Sequence, residues 1–88
     1  MYYYKTKTWF APMNTVARFA IHENRLIKVY FNNGTWEIIP DTLELLDEYG
    51  KHVNSYDNCY SNDTEIIQNR FEAIIADFIQ VNKPSRID

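Results

Sequence analysis

The sequence predicts an α+β domain: a four-stranded antiparallel meander over residues 2–10, 15–22, 26–32 and 35–39, then a short helix over 42–49 and a long amphipathic helix over 63–81, both packed on one face of the sheet. Three observations carry this. Ile67, Phe71, Ile74, Phe78 and Val81 recur at steps of four, three, four and three, which lines them along one face of a helix. Asn33-Gly34 stands between two β-rich runs, the pattern of a two-residue hairpin turn. The chain opens on a run dense in Tyr, Thr, Trp and Phe, residues that suit a pleated surface.

In the first strand, Tyr2, Tyr4, Thr6, Thr8 and Phe10 share one face and Tyr3, Lys5, Lys7 and Trp9 the other. Pro12 ends it, because proline has no amide proton to give to a ladder. Residues 15–22 fit either a strand, with Ala17, Phe19 and Ile21 inward and Arg18 and His22 outward, or a helix with Met13, Val16, Ala17, Ala20 and Ile21 in a stripe. The next turn favours the strand. A three-residue loop at Glu23-Asn24-Arg25 pairs Ile21 with Ile27, Phe19 with Val29 and Ala17 with Phe31, so the apolar faces coincide.

A two-residue turn at Asn33-Gly34 pairs Phe31 with Trp36, Tyr30 with Glu37, Val29 with Ile38 and Lys28 with Ile39. One face then collects Ile27, Val29, Phe31, Trp36 and Ile38. Pro40 closes the sheet. Asp41-Thr42-Leu43-Glu44 has capping-box spacing and Gly50 suits a helix C-terminus, which predicts a short helix with Leu43, Leu46 and Tyr49 inward. Residues 51–61 lack periodicity and read as a loop. Asn62, with Glu65 three residues on, caps the long helix, about 28 Å long at ~1.5 Å per residue. Lys83-Pro84 ends it, and residues 85–88 read as a frayed tail.

The 88 residues form a single domain over 1–88 in this reading, with a small core that needs no staple. One Cys excludes an internal disulfide. No secretory leader pattern and no membrane-length apolar run is visible, so a cytoplasmic location is expected. Two Gly in the whole chain exclude a phosphate-cradling loop. Cys59 with His52 or His22 lacks the flanking pattern of a nucleophile and base, and His52, Asp57, Cys59 and Asp63 lack the paired spacing of a zinc site. The expectation is therefore no enzyme, no cofactor and no metal.

Charge is divided along the chain. Residues 1–36 carry five basic residues against one acidic, and residues 37–88 carry four against eleven. Two binding faces follow. Asp41, Glu44, Asp47 and Glu48 form an acidic outer face on the predicted short helix, suited to a basic groove on a larger protein. Tyr3, Lys5, Lys7 and Trp9, extended by Lys28 and Tyr30, interleave aromatics and cations as a single-stranded nucleic-acid binder would. The first reading is a small non-enzymatic protein–protein interaction domain, an intracellular inhibitor or regulator of the phage or mobile-element type, monomeric or homodimeric. Nucleic-acid binding is the alternative.

Overall fold

The structure, a computed structural model, describes residues 1–82. It is α+β, with seven strands in two antiparallel sheets and one C-terminal helix. The strands are β1 (Tyr3–Lys5), β2 (Phe10–Pro12), β3 (Val16–His22), β4 (Leu26–Phe31), β5 (Trp36–Ile39), β6 (Leu43–Leu46) and β7 (His52–Tyr56), and the helix is α1 (Thr64–Asn82). The sheets have the orders β2-β1-β6-β7 and β3-β4-β5, in place of the single meander expected. No described helix is long and apolar enough to cross a membrane.

The expected strand over 2–10 is a hairpin. Thr6 turns the chain: its hydroxyl accepts the amides of Thr8 (3.1 Å) and Trp9 (3.0 Å), and its own amide donates to the Trp9 carbonyl (2.8 Å). Alternation in Tyr, Thr and Lys carries no mark of this reversal, because the turn uses a hydroxyl in place of Gly or Asn. β2 lies at the outer edge of its sheet, where Pro12 faces no missing partner.

β3 and β4 pair Phe19 with Val29 and Ile21 with Ile27, as the three-residue loop requires. Glu23 and Asn24 take positive φ, and the Arg25 amide donates to the His22 carbonyl. An irregularity between Val16 and Arg18 brings Val16 into the core and leaves Ala17 exposed, so the expected Ala17–Phe31 pair is replaced by Val16–Phe31.

The β4–β5 register differs from the expected one by one residue. Tyr30 pairs with Trp36, Val29 with Glu37, Lys28 with Ile38 and Ile27 with Ile39. The loop has three residues, Asn32-Asn33-Gly34, with Gly34 at φ 91° and its amide donated to the Phe31 carbonyl. Asn-Asn-Gly serves a three-residue loop with a left-handed glycine as well as a two-residue turn. One residue of slip exchanges the faces of a strand. Ile39 is therefore fully buried, while Trp36 and Ile38 stand in solvent.

The expected helix over 42–49 is strand β6 and a turn. Leu43 and Leu45 are buried in alternation, Leu46 is half-buried and Tyr49 is exposed. β6 is paired on both sides, Tyr4 opposite Leu45 and Leu43 opposite Tyr56. Isolated helices this short are marginal, and pairing across two neighbours outweighs the local capping signal. The segment holds the returning chain instead: the Asp41 backbone carbonyl accepts the Cys59 amide (2.7 Å) and the Thr42 hydroxyl donates to Asp57 (3.1 Å). Asp47 closes the next turn through the amides of Tyr49 (2.8 Å) and Lys51 (2.9 Å), with Gly50 at φ 80°. Residues 51–61, expected as a loop, contain β7. It is an exposed edge strand of mostly polar residues, with only Tyr56 buried, which is why no hydrophobic period announces it.

α1 matches the predicted helix within a residue at each end. Its cap is Asp63 in place of Asn62: the Asp63 carboxylate accepts the amides of Glu65 (3.0 Å) and Ile66 (3.4 Å). The expected Lys83-Pro84 stop and the tail at 85–88 lie outside the described residues. Ile67 and Ile74 are buried, and Phe71, Phe78 and Val81 pack against the core. Tyr4 from one sheet, Phe19 from the other and Phe78 from α1 meet as a trio with ring centroids 5.4–6.5 Å apart. Both sheets and the helix thus share one core. The Tyr56 hydroxyl and the Asn54 amide donate to Asp77 (2.6 and 2.7 Å), tying β7 to the helix.

Candidate functional site

The corrected register assembles a face of which the expected sites contained only Lys28 and Tyr30. On the outer side of β3-β4-β5, Arg18, Tyr30 and Trp36 form one cross-strand row, and Ala20, Lys28 and Ile38 the next. The inward alternates Phe19, Ile27, Val29 and Ile39 are buried, so the sheet pins these outward positions. The Arg18 guanidinium lies 3.9 Å from the Tyr30 ring centroid, and the Lys28 ammonium 3.8 Å from the Trp36 ring and 5.5 Å from Tyr30. Each such cation–ring contact is worth about 0.5–1 kcal/mol at an exposed site and holds a flexible side chain in place. Trp36 keeps 52% and Ile38 38% of their surface exposed.

Charge on this face is of one sign. Its outward strand positions carry no carboxylate. Glu23 lies in the turn beyond β3, 3.8 Å from His22, and Glu37 belongs to the opposite side, paired with Val29. Among the described residues, neither Arg18 nor Lys28 has a carboxylate within salt-bridge distance.

The two sets of residues singled out from the sequence are dispersed. Glu44 and Asp41 line a cleft of about 290 Å³ together with Lys5 and Lys7, so members of the acidic and basic sets oppose each other there. Asp47 is occupied by its own turn, and Glu48 lies 3.8 Å from the Met1 amino nitrogen. Of the basic aromatic set, Tyr3 stacks on Phe10 (5.1 Å, 8° between planes) in the four-stranded sheet. Trp9 is half-buried edge-to-face with Phe31, and its indole N–H donates to the Ile38 carbonyl at the outer edge of β5 (2.8 Å). Trp9 therefore blunts an edge that another strand could extend. Lys28 and Tyr30 are the members that reach the outer face. Arg18, Trp36 and Ile38 were missed. Arg18 was legible as an outward residue of β3, whereas Trp36 and Ile38 followed the misplaced register inward.

The features suited to reaction chemistry are spoken for by the fold. Cys59 is fully buried, with its thiol 3.2 Å from the Tyr56 carbonyl. Burial pushes that thiol up to about 12, which leaves about one thiolate in 10⁴ molecules at pH 8. Native protein is expected to resist iodoacetamide at pH 8 and to be alkylated once unfolded in urea, read by mass spectrometry. The pH dependence has a defined sign. A thiol raised from 9.0 in the unfolded chain contributes its full stability below pH 9 and loses it as pH climbs toward 12. His52, Asp57, Cys59 and Asp63 do not assemble, and no three His, Cys, Asp or Glu side chains converge as metal ligands among the described residues. A cleft of about 460 Å³ beside the β4–β5 loop is lined by Asn, Thr, Ala11 and Phe31, without a titratable side chain.

Fold and face together define a small α+β domain built of two sheets and a helix, with a cationic, aromatic sheet face in solvent. No protein-family model matches the chain, and neither does any curated protein or solved structure.

Proposed function

We propose that the protein is a non-enzymatic protein–protein interaction module, a cytoplasmic regulator or inhibitor that binds a larger protein through the outer face of β3-β4-β5. The observation that carries this reading is the ordered set of Arg18, Tyr30, Lys28 and Trp36 on a rigid sheet. Trp, Tyr and Arg are the side chains that most often dominate binding energy at protein interfaces. Their mutual stacking lowers the entropy lost on docking.

Nucleic-acid binding has weaker support. Base stacking needs open ring faces. Here Arg18 and Lys28 sit over Tyr30 and Trp36, while Trp9 and Tyr3 are engaged within the fold. Affinity capture from native lysate, with and without nuclease, separates the two. A stoichiometric protein partner that survives nuclease and is lost with Trp36→Ala is the expected result. Retention by Trp36→Ala defeats the assignment of binding to this face, and recovery of nucleic acid with the wild type defeats the protein-binding assignment.

A further inference from the structure

We infer that the partner presents an extended acidic segment, with carboxylates at alternate positions that Arg18 and Lys28 grip. This rests on the protein-binding reading above and adds the chemistry of the partner.

Three features of the face lead to it. First, two cations share one ring, Arg18 at 3.9 Å and Lys28 at 5.5 Å from the Tyr30 centroid, with no carboxylate between them. Like charges gathered around one ring repel, and a bound anion relieves that repulsion. Second, the cations are presented rather than spent. The Arg18 guanidinium lies over a ring with no carboxylate of the described residues within salt-bridge distance, which leaves its N–H groups for bidentate contact with one. Third, the spacing suits an extended chain. Arg18 stands opposite Tyr30, and Lys28 is two residues along β4 on the same side, so the pair is diagonal. Diagonal neighbours lie about 7–8 Å apart. Alternate residues of an extended chain lie about 6.5–7 Å apart, so a Glu-x-Glu segment meets both cations.

The segment lies across the sheet and does not extend it at β5, because the Trp9 indole holds the Ile38 carbonyl at that edge. Trp36 and Ile38 flank Lys28 and offer an apolar shelf beside the charges. Phosphate in single-stranded nucleic acid is the competing anion. It gains less here, since a base must compete with Arg18 for the Tyr30 ring and with Lys28 for the Trp36 ring.

The experiment is an amide and indole NMR titration of the full chain with an eight-residue peptide of alternating Glu and Ser, beside dT8 and the matching Lys-Ser peptide. The expected result is shifts at Arg18, Lys28, Tyr30 and the Trp36 indole with the Glu peptide alone, weakening with added salt. Arg18→Gln with Lys28→Gln should reduce affinity about tenfold or more while leaving the rest of the spectrum in place. Both positions are at the surface of the sheet, and the same spectrum reports whether the variant is folded. Shifts from dT8 that exceed those from the Glu peptide overturn the acidic-segment proposal in favour of nucleic acid. No shift on this face, or equal affinity in the double variant, also overturns it. The protein-binding reading fails separately, if the wild type captures no nuclease-resistant protein partner.

Discussion

Ile39→Ala is expected to lower stability by about 2–5 kcal/mol, and Ile38→Ala by less than about 1 kcal/mol. The side chains are neighbours in one short strand and chemically identical. Ile39 is fully buried opposite Ile27, whereas Ile38 is 38% exposed opposite Lys28. Truncating Ile39 loses the transfer energy of its buried carbons and leaves a cavity in the core. At about 4–8 °C per kcal/mol for a domain of this size, a loss of about 3 kcal/mol lowers the melting temperature by roughly 12–24 °C. Thermal unfolding followed by circular dichroism measures both variants. The reverse ranking would mean that the hairpin uses the two-residue turn, which would also withdraw Trp36 from the outer face.

The second large effect is expected at Leu45. Leu45→Ala should cost about 2–5 kcal/mol, and Tyr49→Ala should fall within about 0.5 kcal/mol of wild type. Leu45 is 1% exposed between β1 and β7, while Tyr49 is 86% exposed in the turn that Asp47 closes. A helix over 42–49 would order these differently, with Leu43, Leu46 and Tyr49 on its buried side. Urea unfolding of the two variants distinguishes strand from helix. A destabilisation by Tyr49→Ala comparable to that of Leu45→Ala would contradict the strand.

These two places mark where local signals mislead. Asp41, Glu44 and Gly50 fit the start and end of a helix, but the Asp41 backbone carbonyl and the Thr42 hydroxyl bond the segment at Asp57–Cys59. Asn33-Gly34 is a genuine turn signal, yet it leaves the loop length open by one residue, and that residue decides which side Trp36 occupies. The acidic set depended on the helix over 42–49, so it dispersed with it. The basic aromatic set depended on a nine-residue first strand, which Thr6 folds back on itself. Lys28 and Tyr30 kept their place because the β3–β4 pairing was read correctly.

Residue patterning alone defines α1 and the β3–β4 hairpin. In both, apolar residues repeat at the period of the element, Ile67 to Val81 in the helix and Phe19, Ile21, Ile27 and Val29 in the strands, so the pattern and the buried face agree. It likewise placed Arg18, Lys28 and Tyr30 outward. Only the tertiary structure decided the division into two sheets, the strands β6 and β7, and the position of Trp36 beside Lys28. The reason is energetic. Turn lengths differing by one residue, or a short helix against a short strand, differ little locally. The choice is made by what each alternative buries: Ile39 against Ile27, Leu45 against Tyr4, and Tyr56 bonded to Asp77 on the helix.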